Sequence, residues 1–303
     1  MKHQDLTTSG WRDYELIDSG DGRKLERYGD VTVVRPETQA LWAPRRPGTE
    51  WTAAGAEFRW AEGKGAWRRK ATLPEAWELS WGDARFTVRL TSFKHTGVFP
   101  EQAVNWEWIA ARAAALGAGG DAPRILNLFG YTGIASIVAA RAGALVTHVD
   151  ASNQSNRWSK ENAMRSGIPD SAAGGAIRYL LEDALKFAER EARRGNVYEG
   201  IVLDPPAFGR GPKGEVWHIE ESLPRLLAAT ANILSRRPGA FFLLNGYAAG
   251  YAPRSFAQAV EGHFPDAAAH GEYGELRIAE SGGKAERDTE RVVPSGIYVR
   301  FVR

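Results

Sequence analysis

From about residue 103 the sequence alternates between short apolar runs and longer amphipathic segments, and this alternation constrains the fold more than any other feature. The runs at 124–129, 145–150 and 200–203 have the length and aliphatic content of buried strands. The segments between them are long enough to be helices, and helices between successive strands imply a parallel sheet. Two late runs, 275–279 and 296–302, are separated by a charged loop that contains glycine and are predicted to form an antiparallel hairpin.

The pattern therefore predicts an α/β fold with a seven-stranded Rossmann-like sheet, made of five parallel strands and the antiparallel hairpin. The Ala/Gly runs at 113–120 and 172–176 are interpreted as loops or as stretches of small residues within helices. The other predicted strands cover residues 177–180 and 240–244, and the predicted helices cover residues 103–116, 134–142, 152–166, 184–194, 223–235 and 255–261.

Residues 1–93 lack this alternation and are predicted to form a small Trp-rich β domain. Residues 94–303 are predicted to form the second domain. Seven of the eleven tryptophans lie in this part, among short runs of β-type residues broken by glycine and proline. Arg45-Arg46, Lys64 and Arg68-Arg69-Lys70 stand beside tryptophans, as on surfaces that bind nucleic acids. A tryptophan-rich core with a solvated rim is the preferred interpretation.

The composition excludes several kinds of chemistry. With no cysteine, the chain has no disulfide, no zinc–thiolate site and no cysteine nucleophile. The six histidines do not form a helical metal motif, so no metal site is expected. No apolar run could span a bilayer and no secretory signal begins the chain, which indicates a cytoplasmic protein without a membrane partner. The net charge of +2 neither supports nor excludes an RNA partner.

A small turn, Gly130-Tyr131-Thr132-Gly133, follows the first predicted strand at the edge where open α/β sheets bind ligands. It has two glycines, whereas the dinucleotide fingerprint has three, so a nicotinamide or flavin dinucleotide is not expected. Asp150 ends the next strand, from which a carboxylate reaches ribose hydroxyls. Asp183 follows the third strand and suits an adenine amino group.

Asp204-Pro205-Pro206-Ala207-Phe208 follows the buried run at 200–203, so it should lie where a strand ends at a cleft. The prolines lack backbone N–H groups, and the carbonyls around them can accept hydrogen bonds from a ligand. Phe208 can cover a flat ring. The segment from Gly209 to Val216 is predicted to be a loop that orders on substrate or simply connects two elements.

In these motifs the chain resembles the class I S-adenosylmethionine-dependent methyltransferases, and more closely the RlmI/RlmK-type bacterial large-subunit ribosomal RNA methyltransferases. The resemblance covers residues from about 90 to 303, without a recognisable PUA-type domain. It implies S-adenosyl-L-methionine as the cofactor, and a segment at 94–102 that closes over it. The cofactor-binding residues so assigned are Phe99, Gln102, Asn127, Phe129, Gly130, Tyr131, Thr132, Gly133, Asp150, Ala151, Ser152, Asn162, Asp183, Ala184 and Asp204.

The residues also bear on what is methylated. Methylation of a pyrimidine at C5 needs a cysteine, which this chain lacks. Where RlmI-type relatives carry that cysteine, the chain has Asn245. Methylation of a base nitrogen remains, with Asp204 and the Pro205 carbonyl as acceptors and Phe208 stacking on the base. The predicted catalytic residues are Asp204, Pro205, Pro206, Phe208 and Asn245.

Ribosomal RNA is thus the expected substrate, with a guanine nitrogen favoured, and the resemblance places the protein in RNA processing. Methylation of a protein or a small molecule is the alternative, because the cofactor argument does not depend on the substrate. A non-catalytic scaffold that binds the cofactor or RNA is the rival from another class. The sequence does not define an oligomeric state.

Overall fold

A computed structural model of the 303-residue chain describes residues 1–61, 64–170, 175–247, 250–281 and 291–303. Most of the predicted 172–176 loop and of the charged hairpin loop lies outside the described residues. The larger of two compact units contains Met1–Leu6, Val104–Glu275 and Gly296–Arg303, and the smaller contains Thr7–Ala103 and Leu276–Ser295. The boundary predicted between residues 93 and 94 stays a prediction.

The elements are numbered in chain order, and a 3₁₀ helix, Pro100–Gln102, precedes α2. The strands are β1 (Lys2–His3), β2 (Leu6–Thr8), β3 (Tyr14–Gly20), β4 (Arg23–Tyr28), β5 (Val31–Pro36), β6 (Ala56–Ala61), β7 (Lys64–Arg69), β8 (Ala76–Trp81), β9 (Ala84–Arg89), β10 (Arg124–Leu128), β11 (Leu145–Asp150), β12 (Ile177–Leu181), β13 (Gly200–Leu203), β14 (Phe208–Arg210), β15 (Val216–His218), β16 (Phe241–Gly246), β17 (Gly271–Ala279) and β18 (Val292–Val302). The helices are α1 (Gly48–Ala53), α2 (Ala103–Gly117), α3 (Ile134–Arg141), α4 (Asn153–Arg165), α5 (Ala184–Arg194), α6 (Ile219–Ile233), α7 (Pro253–His263) and α8 (Ala267–His270).

The central sheet has nine strands among the described residues, in the order β1-β17-β18-β16-β13-β10-β11-β12, with β2 also paired to β17. Strands β16, β13, β10, β11 and β12 run parallel to one another, as the alternating pattern predicted. Strand β18 runs antiparallel to β16. The Rossmann-like α/β fold is confirmed, and the two short strands beyond the predicted seven come from the first eight residues.

Both faces of the parallel sheet are covered, which explains the continuous apolar runs in the sequence. Every residue of β13 and β16 is buried. On one face, Ile201 and Phe242 belong to a core that includes Leu226 of α6 and Ala257 of α7. On the other face, the Trp108 ring of α2 packs edge-on against Phe241, with 5.2 Å between the ring centroids.

The smaller unit contains the five-stranded sheet β3-β4-β5-β6-β7 and the pair β8-β9. Its interior holds an ion pair between Glu26 and Arg35, with Nε and Oε2 2.6 Å apart. Burial acts to raise the pKa of Glu26, but Arg35 and Lys24 outweigh it and hold the pKa at about 2. The tryptophans are divided: Trp11 and Trp51 are buried, and others are partly or largely exposed.

Within the described part of the chain, no helix combines the length and the apolar character needed to cross a membrane. The same residues contain no cluster of three or more His, Asp or Glu side chains that could hold a metal ion.

Candidate active site

The residues that the sequence singled out follow four adjacent strands of the sheet. Strand β10 lies between β11 and β13, and β12 lies beyond β11. Register pairs Leu128 with both Val149 and Leu203, so the parallel strands end at the same level. Asp204, the turn at 129–133, Asp150 and Asp183 therefore follow one another along the carboxyl edge of the sheet. The chain goes from β10 outward to β11 and β12 and then returns to β13 on the other side of β10, so the boundary between β10 and β13 is a topological switch point, where open α/β sheets bind ligands.

The turn after β10 adopts a backbone that side chains rarely accept. Phe129 and Tyr131 have φ values of 59° and 49°, and Gly133, at the start of α3, has φ of 82°. Each left-handed residue with a side chain costs about 1 kcal/mol or more, and such costs concentrate at binding sites.

Tight packing leaves no room for side chains at the two glycines of the turn. A Cβ on Gly130 would lie 2.3 Å from the ring of His148, and a Cβ on Gly133 would lie 1.8 Å from Oγ of Ser159. The glycines thus let the turn lie directly on β11 and α4.

A chain of buried polar groups supports the turn. Asn127 Nδ2 donates to Ser136 Oγ at 2.8 Å, and Ser136 Oγ lies 2.9 Å from His148 Nδ1. Burial lowers the pKa of His148 to about 3, so the ring is neutral at physiological pH. Asn127 was predicted as a cofactor contact and is 3% exposed. Sequence reasoning missed Ser136 and His148, although a histidine in an apolar strand is a visible signal.

Asp150 is fixed by the backbone on both sides. Its carboxylate oxygens accept from the amides of Tyr131 and Ser152, each at 2.8 Å. Burial raises the pKa of Asp150 above its ordinary value, although these two hydrogen bonds lower it. A carboxylate has about four acceptor positions, so two remain for hydroxyl groups of a ligand. Ser152 also caps α4, because its Oγ accepts from the amide of Ser155 at 3.1 Å, and Ala151 is half-buried between them.

Two other predicted contacts support the site through the backbone. Asn162 is fully buried on α4, and its Nδ2 donates to the carbonyl of Thr132 at 2.9 Å. Asp183 caps α5 by accepting from the Lys186 amide at 2.9 Å. Ala184 is the first residue of that helix and is buried.

The Asp204 motif leads into a hairpin, and not into the predicted loop at 209–216. Strands β14 and β15 pair antiparallel from Phe208–His218 to Arg210–Val216. Trp217 anchors the hairpin, because its Nε1 donates to the carbonyl of Pro206 at 2.7 Å and its ring packs edge-on against Phe129. Sequence reasoning missed this tryptophan, because only the pairing of the two strands places it beneath the motif.

Exposure differs along the motif itself. Asp204 is half-buried, Pro205 is buried and Pro206 is exposed. Phe208 is 53% exposed, and its ring lies 5.0 Å from the ring of His218, measured between the centroids. A carboxylate and an exposed ring thus flank a rigid turn at the edge of the sheet.

Asn245 belongs to a buried network on β16. Its Oδ1 accepts from Asn105 Nδ2 at 3.0 Å, and Asn105 Oδ1 accepts from Arg300 at 3.2 Å. Arg300 also binds Glu272 at 2.6 Å. Asn245 is 3% exposed, so its observed role is to hold this buried network together. Its assignment to catalysis stays a prediction.

Phe99 and Gln102 belong to the smaller unit. They lie at the 3₁₀ helix, where Gln102 is buried and the Phe99 ring lies 5.2 Å from that of His95, measured between the centroids. Their contact with a cofactor stays a prediction.

These groups fit an S-adenosylmethionine molecule. The carboxylates of Asp150 and Asp183, at neighbouring strand ends, would accept from ribose hydroxyls and from an adenine amino group, and the two glycines keep the turn between β10 and α3 free of side chains. This strand order, with antiparallel β18 inserted beside β16, and these strand-end carboxylates define the Rossmann-like class of S-adenosylmethionine-dependent methyltransferases.

Comparison with known proteins agrees with the class. The crystal structure of the SAM-dependent methyltransferase from Agrobacterium tumefaciens is 43% identical, covers 99% of this chain and 93% of its own, and superimposes with a TM-score of 0.88. The SMU.776 protein, solved with SAH, is 18% identical with a TM-score of 0.68 and covers 97% of this chain and 76% of its own, which shows a shared fold. No protein-family profile matches the chain.

Curated relatives match over a shorter range. The ribosomal RNA large subunit methyltransferase K/L of Shewanella frigidimarina is 30% identical over 154 residues, which are 50% of this chain and 20% of that protein. Its counterpart from Acinetobacter baylyi is 30% identical over 188 residues, which are 61% and 24%. The matched region thus spans less than a quarter of these curated relatives.

The chain belongs to the S-adenosylmethionine-dependent methyltransferases, since the Agrobacterium protein matches over nearly its whole length. It is a methyltransferase, and its cofactor is S-adenosyl-L-methionine.

Proposed function

We propose that this enzyme methylates a nitrogen of a base in ribosomal RNA, and that a guanine is the favoured base. The observation that carries the proposal is the exposed ring of Phe208, four residues from the half-buried Asp204 at the end of β13. The names of the curated K/L relatives support an RNA substrate, within the shared range of sequence.

Each residue of the motif makes a different contact with the base. Phe208 stacks on the flat face of the base, as aromatic side chains do with unpaired nucleotides. Asp204 and the carbonyl of Pro205 accept hydrogen bonds from an exocyclic amine or a ring N–H and so orient the nitrogen. Trp217 fixes the motif by binding the carbonyl of Pro206.

The cofactor, when bound, would supply a methyl group on a positively charged sulfur. The lone pair of the base nitrogen would form the new N–C bond as the S–C bond breaks and the neutral thioether leaves, and a proton on that nitrogen would pass to water. Alignment of the reacting atoms then accounts for much of the rate, roughly 7–11 kcal/mol in well-oriented cases. Few catalytic side chains are needed. The chain contains no cysteine, so it cannot form the covalent thiolate adduct that C5 methylation of a pyrimidine requires.

The test is transfer of labelled methyl from S-adenosylmethionine to ribosomal RNA and, separately, to protein extract. Both substrates come from a strain that lacks the gene, and the products are digested to nucleosides and amino acids. Label in a modified guanosine is expected. Label in another nucleoside would overturn the choice of base, and label only in protein, or in neither fraction, would overturn the RNA substrate.

An Asp204→Ala variant tests the role of the carboxylate. We expect it to lower kcat by roughly 100-fold or more, in the range of lost acid–base or positioning groups, while the affinity for S-adenosylmethionine stays within a few-fold. Asp121→Ala, which removes an exposed carboxylate before β10, is the matched control. A fully active Asp204→Ala enzyme would remove this residue from the mechanism.

A further inference from the structure

The short β14–β15 hairpin turns one face to solvent directly beside the substrate motif. Phe208 lies opposite His218 in the pairing of the two strands, and Arg210 lies opposite Val216. Because paired residues share a face and side chains alternate along a strand, these four side chains lie on one face and Trp217 lies on the other. Trp217 is buried, whereas the four residues of the first face are all exposed. Phe208, Arg210, Val216 and His218 form the outer hairpin face.

The hairpin is attached at both of its ends. At the open end, the Ile219 amide donates to the carbonyl of Ala207 at 3.1 Å. At the turn, Lys186 Nζ of α5 donates to Glu215 Oε1 at 2.8 Å, and Glu215 Oε2 accepts from the Lys213 amide at 2.9 Å. A two-stranded ribbon is only marginally stable alone, so these contacts fix the outer hairpin face relative to the motif.

The outer hairpin face carries positive charge and no carboxylate. Arg210 is exposed and has no ion-pair partner among the residues that the structure describes. The one acid between residues 208 and 218 is Glu215. The hydrogen bond from Lys186 holds the pKa of Glu215 down at about 2, so this carboxylate is ionised and already paired. An anionic ligand would therefore meet an unpaired guanidinium on this face.

We propose that the outer hairpin face binds the single-stranded RNA next to the target nucleotide. A neighbouring base contacts the ring of His218, and a phosphate contacts the guanidinium of Arg210. The inference rests on the proposed function, because it extends the RNA substrate beyond the base that Phe208 holds.

Continuity with the motif favours RNA as the occupant. Phe208 is both the last residue of the motif and the first residue of β14, and its ring lies 5.0 Å from that of His218. Arg210 stands two residues farther along β14, which is roughly 7 Å. A base held against Phe208 thus has His218 and Arg210 beside it. Both suit an adjoining nucleotide, because unpaired bases stack on aromatic rings, including histidine, and arginine binds phosphates.

The small size of the face argues against a protein partner or a second copy of this chain. A stable protein interface buries roughly 800 Å² on each partner. Four side chains on two strands of three residues supply only a part of that area. A single nucleotide, by contrast, needs only a ring and a cation.

The experiment measures steady-state methylation of ribosomal RNA from the strain that lacks the gene, with the full-length enzyme at several salt concentrations. Arg210→Ala should raise KM for the RNA. It should also lower the slope of log(kcat/KM) against the logarithm of salt concentration by about 0.7, for one lost phosphate contact on a single strand. Arg210→Lys keeps the charge and should keep the slope. In both variants kcat should stay within about twofold, as expected when uniform binding is lost.

His218→Ala should raise KM for the RNA by about 5-fold or more, the usual effect of one lost stacking ring. His218→Phe should restore most of the affinity. A double variant with Phe208→Ala, measured by filter binding of the same RNA, separates a direct contact from an effect on the neighbouring ring. His218→Ala should weaken binding further in this background. No further loss would show that His218 acts only through Phe208, and would overturn its contact with RNA.

Val216→Ala is the matched control on the same face, because Val216 has neither a ring nor a charge and no contact is assigned to it. It should leave KM and the salt slope unchanged. Circular dichroism and S-adenosylmethionine affinity should be the same in all variants, which excludes misfolding. An equal rise of KM in Val216→Ala would assign the effect to the shape of the hairpin and overturn the proposal.

The outcomes separate this proposal from the proposed function. If the wild type methylates ribosomal RNA, and KM and the salt slope do not change in Arg210→Ala and His218→Ala, the outer hairpin face is wrong and the function stands. If the wild type methylates no RNA, both fail. If it methylates only protein and these variants raise KM for that protein, the face binds a protein substrate instead.

Discussion

Gly130 shows how one residue of the cofactor turn depends on a buried neighbour. Because a Cβ there would lie 2.3 Å from the His148 ring, Gly130→Ala must displace either the turn or the ring. We expect a destabilisation of about 1–3 kcal/mol, as for other overpacked sites, and at least a tenfold weaker affinity for S-adenosylmethionine by calorimetry. Gly262→Ala on α7 is the control, since nothing lies within 4 Å of its Cβ position. Equal affinities in the two variants would contradict this account of the turn.

Asp150 should give cofactor binding a dependence on pH. Burial raises the pKa of its carboxyl group, so as the pH falls the group gains a proton at a higher pH than an ordinary Asp. The protonated form accepts fewer hydrogen bonds from ribose hydroxyls. Affinity for S-adenosylmethionine should therefore fall toward acid pH in the wild type.

The comparison with Asp150→Asn isolates this carboxylate from Asp183 and other acids. Titration calorimetry from about pH 8 to about pH 5 should show weaker binding in the variant, by roughly tenfold or more for a lost charge-assisted hydrogen bond. The slope with pH should also be smaller. An identical pH profile in both proteins would show that another group titrates.

At the scale of elements, Trp217 of the β14–β15 hairpin connects the turn at 129–133 to the motif at 204–208. Trp217→Phe retains a ring beside Phe129 and removes the hydrogen bond to the carbonyl of Pro206. We expect kcat for RNA methylation to fall by several-fold to tenfold, because one hydrogen bond within a protein is worth about 0.5–1.5 kcal/mol. Cofactor affinity should change by less than twofold.

Val216→Ala is the control for this hairpin, because Val216 is the residue before Trp217 on β15 and is 54% exposed. It should retain full activity. If kcat falls equally in both variants, the hairpin as a whole and not the Trp217 bond sets the rate.

Elements of the sheet were predictable where the chain repeats one physical signal. Both faces of β13 and β16 are buried, so these strands are apolar throughout and their limits were predicted to within two residues. The β14–β15 hairpin carries no such signal, because its strands have three residues each and Trp217 is the one buried residue in them. Its existence depends on Trp217 packing beneath the motif, which is a tertiary contact.

At the scale of the whole molecule, Glu101 should make stability depend on pH. Burial raises the pKa of Glu101 to about 7, although Lys24 and Arg35 lower it in part. The unfolded carboxyl group loses its proton near its ordinary value of 4.5, whereas the folded one keeps it until about pH 7. The stabilising contribution is therefore complete below about pH 4.5 and is lost as the pH rises through 7.

Glu101→Gln mimics the protonated carboxyl group and should remove this dependence. At about pH 8 the variant should be more stable than the wild type by roughly 3 kcal/mol, from 1.36 kcal/mol per unit of pKa change. The difference should vanish near pH 4. Thermal unfolding at several pH values measures it, and Glu107→Gln, at an exposed position of α2, should show no effect.

The sequence by itself determined the α/β class, the five parallel strands and the positions of the turn, Asp150, Asp183 and Asp204 at strand ends. These follow from local periodicity, and the carboxyl ends of parallel strands necessarily share one edge of the sheet. The tertiary structure alone decided that His148 lies under Gly130, that Asn245 joins a buried network with Asn105 and Arg300, and that Trp60 is exposed. Packing between distant segments sets burial, and no local pattern of residues encodes it.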